Sequence, residues 1–137
     1  MNVPNSNPYS KYKEQSVMAA TPGELTLMLY DGCIRFLKLS QLNMASSNLQ
    51  AAHNNLVKAS DIITELMNTL DMNYSISGQL LNLYLFIFGE ITHANIQKNP
   101  DKLNPIIEII EELRDAWKKA VQIDRYNRFE GGLSNEG

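Results

Sequence analysis

The chain has 137 residues, a length that fits one domain and can bury a core without disulfides or a structural metal. Its net charge is -3 with acidic and basic residues interspersed, which argues against nucleic acid as a partner. No stretch is apolar over the roughly 20 residues that a membrane-inserted helix needs. The single cysteine, Cys33, lies in an apolar run and is predicted to be a small buried side chain in a reducing compartment.

The first 18 residues are predicted to form a flexible N-terminal segment that contains a short helix. Residues 1–8 carry two prolines and three asparagines without an apolar period, and they lack the basic start and apolar run of a secretory signal. Tyr9, Tyr12 and Val17 are spaced to line one side of a short helix. We therefore expect a cytoplasmic protein.

The strongest local signal is the start of a long helix at residues 21–24. Thr21 is placed as an N-cap, Pro22 at the first helical position and Glu24 at the third, as in a capping box. The helix is predicted to run to about Ala45 and to carry two apolar stripes, more than one neighbouring helix can cover. The second of these stripes contains Leu27, Tyr30, Ile34 and Leu37.

Three further helices are predicted, over about 48–70, 76–97 and 101–123. The first is amphipathic, with Ile62 and Leu66 among its apolar residues. The second contains the run Leu80–Phe88, which is apolar nearly all round and which a buried strand would also explain. Helix is favoured because the helical spacing continues over five turns. The polar residues 125–137 are predicted to be a disordered tail.

Four helices of similar length with short connections predict an all-α fold. The expected architecture is an antiparallel four-helix bundle over residues 19–124, preceded by a short N-terminal capping helix.

Residues that could support catalysis or metal binding are sparse. Glu90-x-x-His93 matches half of a two-metal carboxylate motif, but the other histidine, His53, has Gln50 three residues before it. His53 also lacks the surrounding lysine and glycine pattern of a phosphotransfer histidine. Without a catalytic triad or a glycine-rich phosphate loop, we expect no enzyme activity, no catalytic residue, no cofactor and no metal.

The surplus of apolar surface leaves two interpretations open. The second apolar faces either meet inside the bundle or in a homodimer, or they form a groove that receives helices of a partner. The sequence pattern by itself does not separate these interpretations.

A long segment, Tyr12–Gly32 (YKEQSVMAATPGELTLMLYDG), resembles the signature of the flagellin export chaperone family, FliS. The resemblance extends from Asn7 to about Arg128. Further matching landmarks are Asn7-Pro8-Tyr9, Lys58–Leu66, Leu83-Tyr84, Ala94-Asn95 and Asp115–Lys118.

The resemblance implies a cytoplasmic chaperone that binds the C-terminal helical segment of flagellin one to one, prevents premature polymerisation and keeps flagellin competent for export. It also implies that Tyr9, Tyr12 and Val17 form a movable cap over the binding groove. The groove itself is assigned to residues of the second apolar faces, Leu27, Ile34, Ile62, Leu66, Leu80 and Tyr84. Contact with the flagellar export apparatus and self-association stay open, and the alternative function is a homo-oligomeric bundle without cargo.

One segment departs from the family pattern. The family commonly has a more polar stretch after Leu83-Tyr84, often with an acidic residue, whereas Leu85–Phe88 is wholly apolar here. A variant groove, a second partner and self-association are the interpretations that this departure leaves open.

Overall fold

The computed structural model describes residues 21–136, with side chains described as far as Gly131. These residues form an antiparallel four-helix bundle, which confirms the predicted fold class. The predicted N-terminal cap helix lies outside the described residues, and the division of the chain into three segments stays a prediction. The elements are α1 Pro22–Ala45, α2 Leu49–Asn68, α3 Ser75–Gln97, a short 3-10 helix Pro100–Leu103, and α4 Asn104–Glu136.

Helix α1 begins where the sequence predicts. The Thr21 hydroxyl accepts a hydrogen bond from the backbone N–H of Glu24 at 3.2 Å, which satisfies one of the free donors of the first turn. Pro22 follows as the first helical residue and loses nothing there, because that position has no intrahelical donor to supply. The carboxylate of Glu24 forms an ion pair with Arg125, so the capped end of α1 is tied to α4.

The apolar run Leu80–Phe88 is helical, as predicted. It lies within α3, whose buried residues recur at helical spacing along one side. The opposite sides remain exposed, so only part of this nearly all-apolar helix is covered by its neighbours. The buried positions are Ser77, Tyr84, Ile87, Ile91 and Ala94.

Helix α4 extends further than the sequence predicts. The expected end near Ile123 is wrong, because the helix continues to Glu136. Arg128 pairs with Asp124 one turn earlier at 3.0 Å, and such pairs support an exposed helix. The segment also lacks proline, and each interior glycine costs only about 1 kcal/mol. The polar composition of residues 125–136, which suggested a disordered tail, is therefore that of a solvent-exposed helix.

The core contains side chains from all four helices, including Leu37, Ile63, Ile87 and Ile110, each with 0% exposure. Cys33 is also at 0%, as predicted, and burial raises the pKa of its thiol to about 12. Helix α1 packs against α2 and α4, and α2 packs against α3, whereas α3 and α4 contact each other only sparsely. Among the described residues, the bundle therefore has an open seam between α3 and α4.

Candidate protein-binding site

A cavity of about 350 Å³ opens at the end of the bundle where α1 begins and α2 passes into α3. The first turn of α1 forms one wall, and Trp117, in the middle of α4, forms another. The lining includes residues of α3 and of α4, the helices on the two sides of the open seam. The remaining lining residues are Thr69, Leu70, Asp71, Tyr74, Ile76, Ser77, Leu80 and Tyr84.

The hydroxyl groups of the two threonines in the cavity wall already bond to the backbone of the same chain. Thr26 donates to the carbonyl of Pro22 at 3.1 Å, and Thr69 donates to the carbonyl of Leu66 at 2.8 Å. In the part of the chain that the structure describes, no buried side-chain nitrogen or oxygen lacks a hydrogen-bond partner. The cavity therefore suits apolar side chains, which need contact area and no hydrogen bonds.

Trp117 fixes the position of the α1 N-terminus. Its indole Nε1–H donates to the carbonyl oxygen of Gly23 at 2.9 Å. A partly buried indole N–H needs such a partner, and the bond leaves the face of the ring to pack beside the core. The first turn of α1 and the middle of α4 are thus held together as two adjoining walls of the cavity.

Two tyrosines join α1 to α3 next to the cavity. The hydroxyl groups of Tyr30 and Tyr84 share a hydrogen bond, and their rings are tilted by 47° with centroids 6.5 Å apart. Their exposures are only 1% and 2%. Burial raises the pKa of both phenols, so the pair is neutral at physiological pH. Tyr84 contributes an uncharged wall to the cavity.

Tyr84→Phe should lower the free energy of unfolding by about 1–3 kcal/mol, because the Tyr30 hydroxyl is left buried without its partner. Adding Tyr30→Phe should restore much of that loss, since both polar groups are then absent. Urea unfolding of the two single variants and the double variant measures this coupling. A double variant whose loss equals the sum of the single losses would contradict the shared bond.

Comparison with known proteins identifies the family. The sequence profile described as "Flagellar protein FliS" matches residues 5–124. The chain belongs to the FliS family. The flagellar secretion chaperone FliS of Bacillus subtilis (strain 168) is 38% identical over 126 residues, which cover 92% of this chain and 95% of that protein. The protein of the same name from Vibrio cholerae serotype O1 is 37% identical over 112 residues, covering 77% and 82%.

A solved structure agrees with the fold of this FliS family member. The crystal structure of a flagellar chaperone from bacteria is similar with a TM-score of 0.70 and 20% identity, covering 84% of this chain and 98% of that chain. At this identity the similarity supports the four-helix fold alone. Among residues 21–136, no helix is both long and apolar enough to cross a membrane.

The predicted groove residues fall into distinct environments. Leu80 and Tyr84 line the cavity. Leu27 and Ile62 are half-buried. Ile34 and Leu66, at 5% and 1% exposure, belong to the core and present no surface to a partner in this conformation. Their role in partner binding stays a prediction, as does that of Tyr9, Tyr12 and Val17, which lie outside the described residues.

Sequence reasoning missed several residues that line the cavity. Trp117 enters the sequence analysis only within the family landmark Asp115–Lys118, and its bond to Gly23 joins positions 94 residues apart. Ile76, the first residue of the predicted helix 76–97, is 55% exposed at the cavity. Tyr74, 66% exposed, stands at the helix boundary beside it. The only sequence signal for these cavity residues was the presence of large apolar side chains next to the start of a helix.

Proposed function

We propose that this chain binds the C-terminal helical segment of flagellin in the cytoplasm, one to one, and thereby prevents premature polymerisation and preserves export competence. The observation that carries the proposal is the cavity of about 350 Å³ with apolar walls at the open seam. Membership in a family of flagellar secretion chaperones makes a flagellar export substrate the expected partner. The proposed activity is binding, with no catalytic step.

The size of the cavity supports a helical partner. Its volume lies within the roughly 300–1,000 Å³ of known ligand pockets, so it has room for more than one apolar side chain. A helix that enters a groove presents such anchors at every third or fourth position. Ile76 and Tyr74 extend the apolar surface outward from the cavity, and they supply contacts for neighbouring turns of that helix.

A partner segment that folds on binding fits the biological requirement. Ordering a flexible chain costs conformational entropy, so affinity per unit of buried area is moderate while the covered area is large. A segment whose apolar helical face is covered by the chaperone cannot use that face to polymerise. The bound flagellin would stay separate until the export step releases it.

The N-terminal segment is proposed to regulate access to the cavity. The described chain begins at Thr21, one residue before Pro22 in the cavity wall. Tyr9, Tyr12 and Val17 are the apolar residues through which this segment would cover the cavity until flagellin displaces it.

Titration of the full chain with a synthetic peptide from the flagellin C-terminus tests the proposal. Calorimetry should give a stoichiometry near one, and the peptide should raise the unfolding temperature, since it binds only the folded state. A peptide of the same composition in scrambled order serves as the control. A dimer that the flagellin peptide neither binds nor stabilises would instead favour the cargo-free homo-oligomer.

A further inference from the structure

Glu90 is the only residue of α3 that carries a full charge at neutral pH. It is half-buried, and none of the ion pairs among the described residues includes it. A carboxylate that is partly removed from water needs hydrogen bonds or an opposite charge to offset the lost hydration. Glu90 is therefore a charged group on an apolar helix, without an ionic partner in the described part of the chain.

Helical geometry places Glu90 on the side of α3 that faces α4. At about 100° per residue, Glu90 lies about 40° around the helix from Ile76, which lines the cavity beside α4. It lies about 140° from Asn95, whose side chain bonds to α2. Leu83 and Phe86 are within about 40° of Glu90. The carboxylate therefore belongs to the apolar side of α3 that borders the open seam.

The other side of the seam brings no positive charge to Glu90. Because α3 and α4 are antiparallel and are joined by residues 98–103, Glu90 stands at about the level of Ile109, which is partly buried against the core. Lys38 of α1 pairs with Glu111, which lies about 160° around α4 from Ile109. Over residues 104–113 the charged side chains of α4 are all acidic: Glu108, Glu111 and Glu112.

We infer that the flagellin segment lies along the α3–α4 seam as a helix and pairs one of its basic side chains with Glu90. The inference rests on the proposed function and adds the chemistry that this site selects. An apolar groove by itself accepts any amphipathic helix. An unpaired carboxylate at its border favours a helix with lysine or arginine at the matching position.

The position of the basic residue follows from the geometry of α3. Ile76 and Leu80 line the cavity, and Glu90 comes ten residues after Leu80 and fourteen after Ile76. At a rise of 1.5 Å per residue this separation is about 15–21 Å. A helix that runs beside α3 has the same rise, so its basic residue should lie about 10–14 positions from the apolar residue that fills the cavity.

Glu90 should determine selectivity more than total affinity. A helix on the seam removes water from the carboxylate, and without a basic partner that loss opposes binding. A lysine or arginine offsets the loss, whereas an acidic residue at the same position adds repulsion. Apolar contacts supply most of the binding free energy. Glu90 rejects helices of the wrong charge and fixes the register of the bound helix along the seam.

Calorimetric titration of the full chain with the synthetic flagellin C-terminal peptide tests the inference. Glu90→Gln keeps the shape of the side chain and removes its charge, so it should weaken binding by about tenfold. Added salt should weaken binding to the wild-type chain more than binding to Glu90→Gln. The matched control is Glu65→Gln, which makes the same change at an exposed site on α2, outside the seam, and should leave the affinity unchanged.

Variants of the peptide identify the paired residue. Each lysine or arginine of the peptide is replaced in turn by glutamine, and one replacement should weaken binding to the wild-type chain but not to Glu90→Gln. That position should lie about 10–14 residues from the apolar anchor. Glutamate at the same peptide position should restore binding to Glu90→Lys, which binds the unmodified peptide less well than Glu90→Gln does.

The outcomes separate this inference from the proposed function. Unchanged affinity in Glu90→Gln would overturn the inference, as would equal losses in the Glu65 and Glu90 variants, or tight binding of a flagellin peptide that has no basic residue. In each case the wild-type chain still binds flagellin, and the proposed function stands. A wild-type chain that does not bind the peptide overturns both. Urea unfolding of Glu90→Gln should match wild type, because glutamine and glutamate favour helix equally.

Discussion

Ile76→Glu should weaken binding of the flagellin C-terminal peptide by at least about 100-fold. The side chain is 55% exposed at the cavity, so a carboxylate there remains solvated in the free protein. A bound helix would remove that water and offer apolar side chains in return, and an unpaired buried charge costs several kcal/mol. Each 1.4 kcal/mol is about tenfold in affinity. Calorimetric titration of wild type and variant measures the difference.

The same substitution should leave the fold intact, which makes the binding result interpretable. Position 76 is in the first turn of α3, where an acidic side chain interacts favourably with the helix dipole. The control is Leu42→Glu, at 67% exposure near the opposite end of α1 from the cavity. Equal affinities for the peptide in wild type and Ile76→Glu would remove the cavity from the binding site.

Local sequence chemistry predicted the elements well because their boundaries depend on nearby residues. Thr21 and Pro22 define the start of α1 through contacts within one turn, and the structure has the same start. The end of α4 was missed although a local pair, Asp124 and Arg128 one turn apart, supports the helix there. A polar stretch has the same composition in a tail and in a solvated helix, so composition could not separate the two.

The candidate site was predictable only in part, because an apolar stripe does not indicate which helix covers it. Leu80 and Ile34 look equivalent as apolar residues at helical spacing, yet one lines the cavity and the other is buried by neighbouring helices. Which faces are covered follows from the order of helices around the bundle, with α3 and α4 left apart. That order is a property of the whole fold. Trp117 of α4 lines the cavity because that order places α4 beside α1.

Leu37→Ala should lower the free energy of unfolding by about 3–5 kcal/mol, as fully buried leucines do when truncated. Leu37 is at 0% exposure on α1, the helix that packs against both α2 and α4, so its truncation leaves a void in the core. With total stabilities of about 5–15 kcal/mol, this is a large share. Leu39→Ala, at 38% exposure two residues later, should cost under about 1 kcal/mol. Urea unfolding that shows similar losses for both variants would mean that α1 buries a different face from the one described.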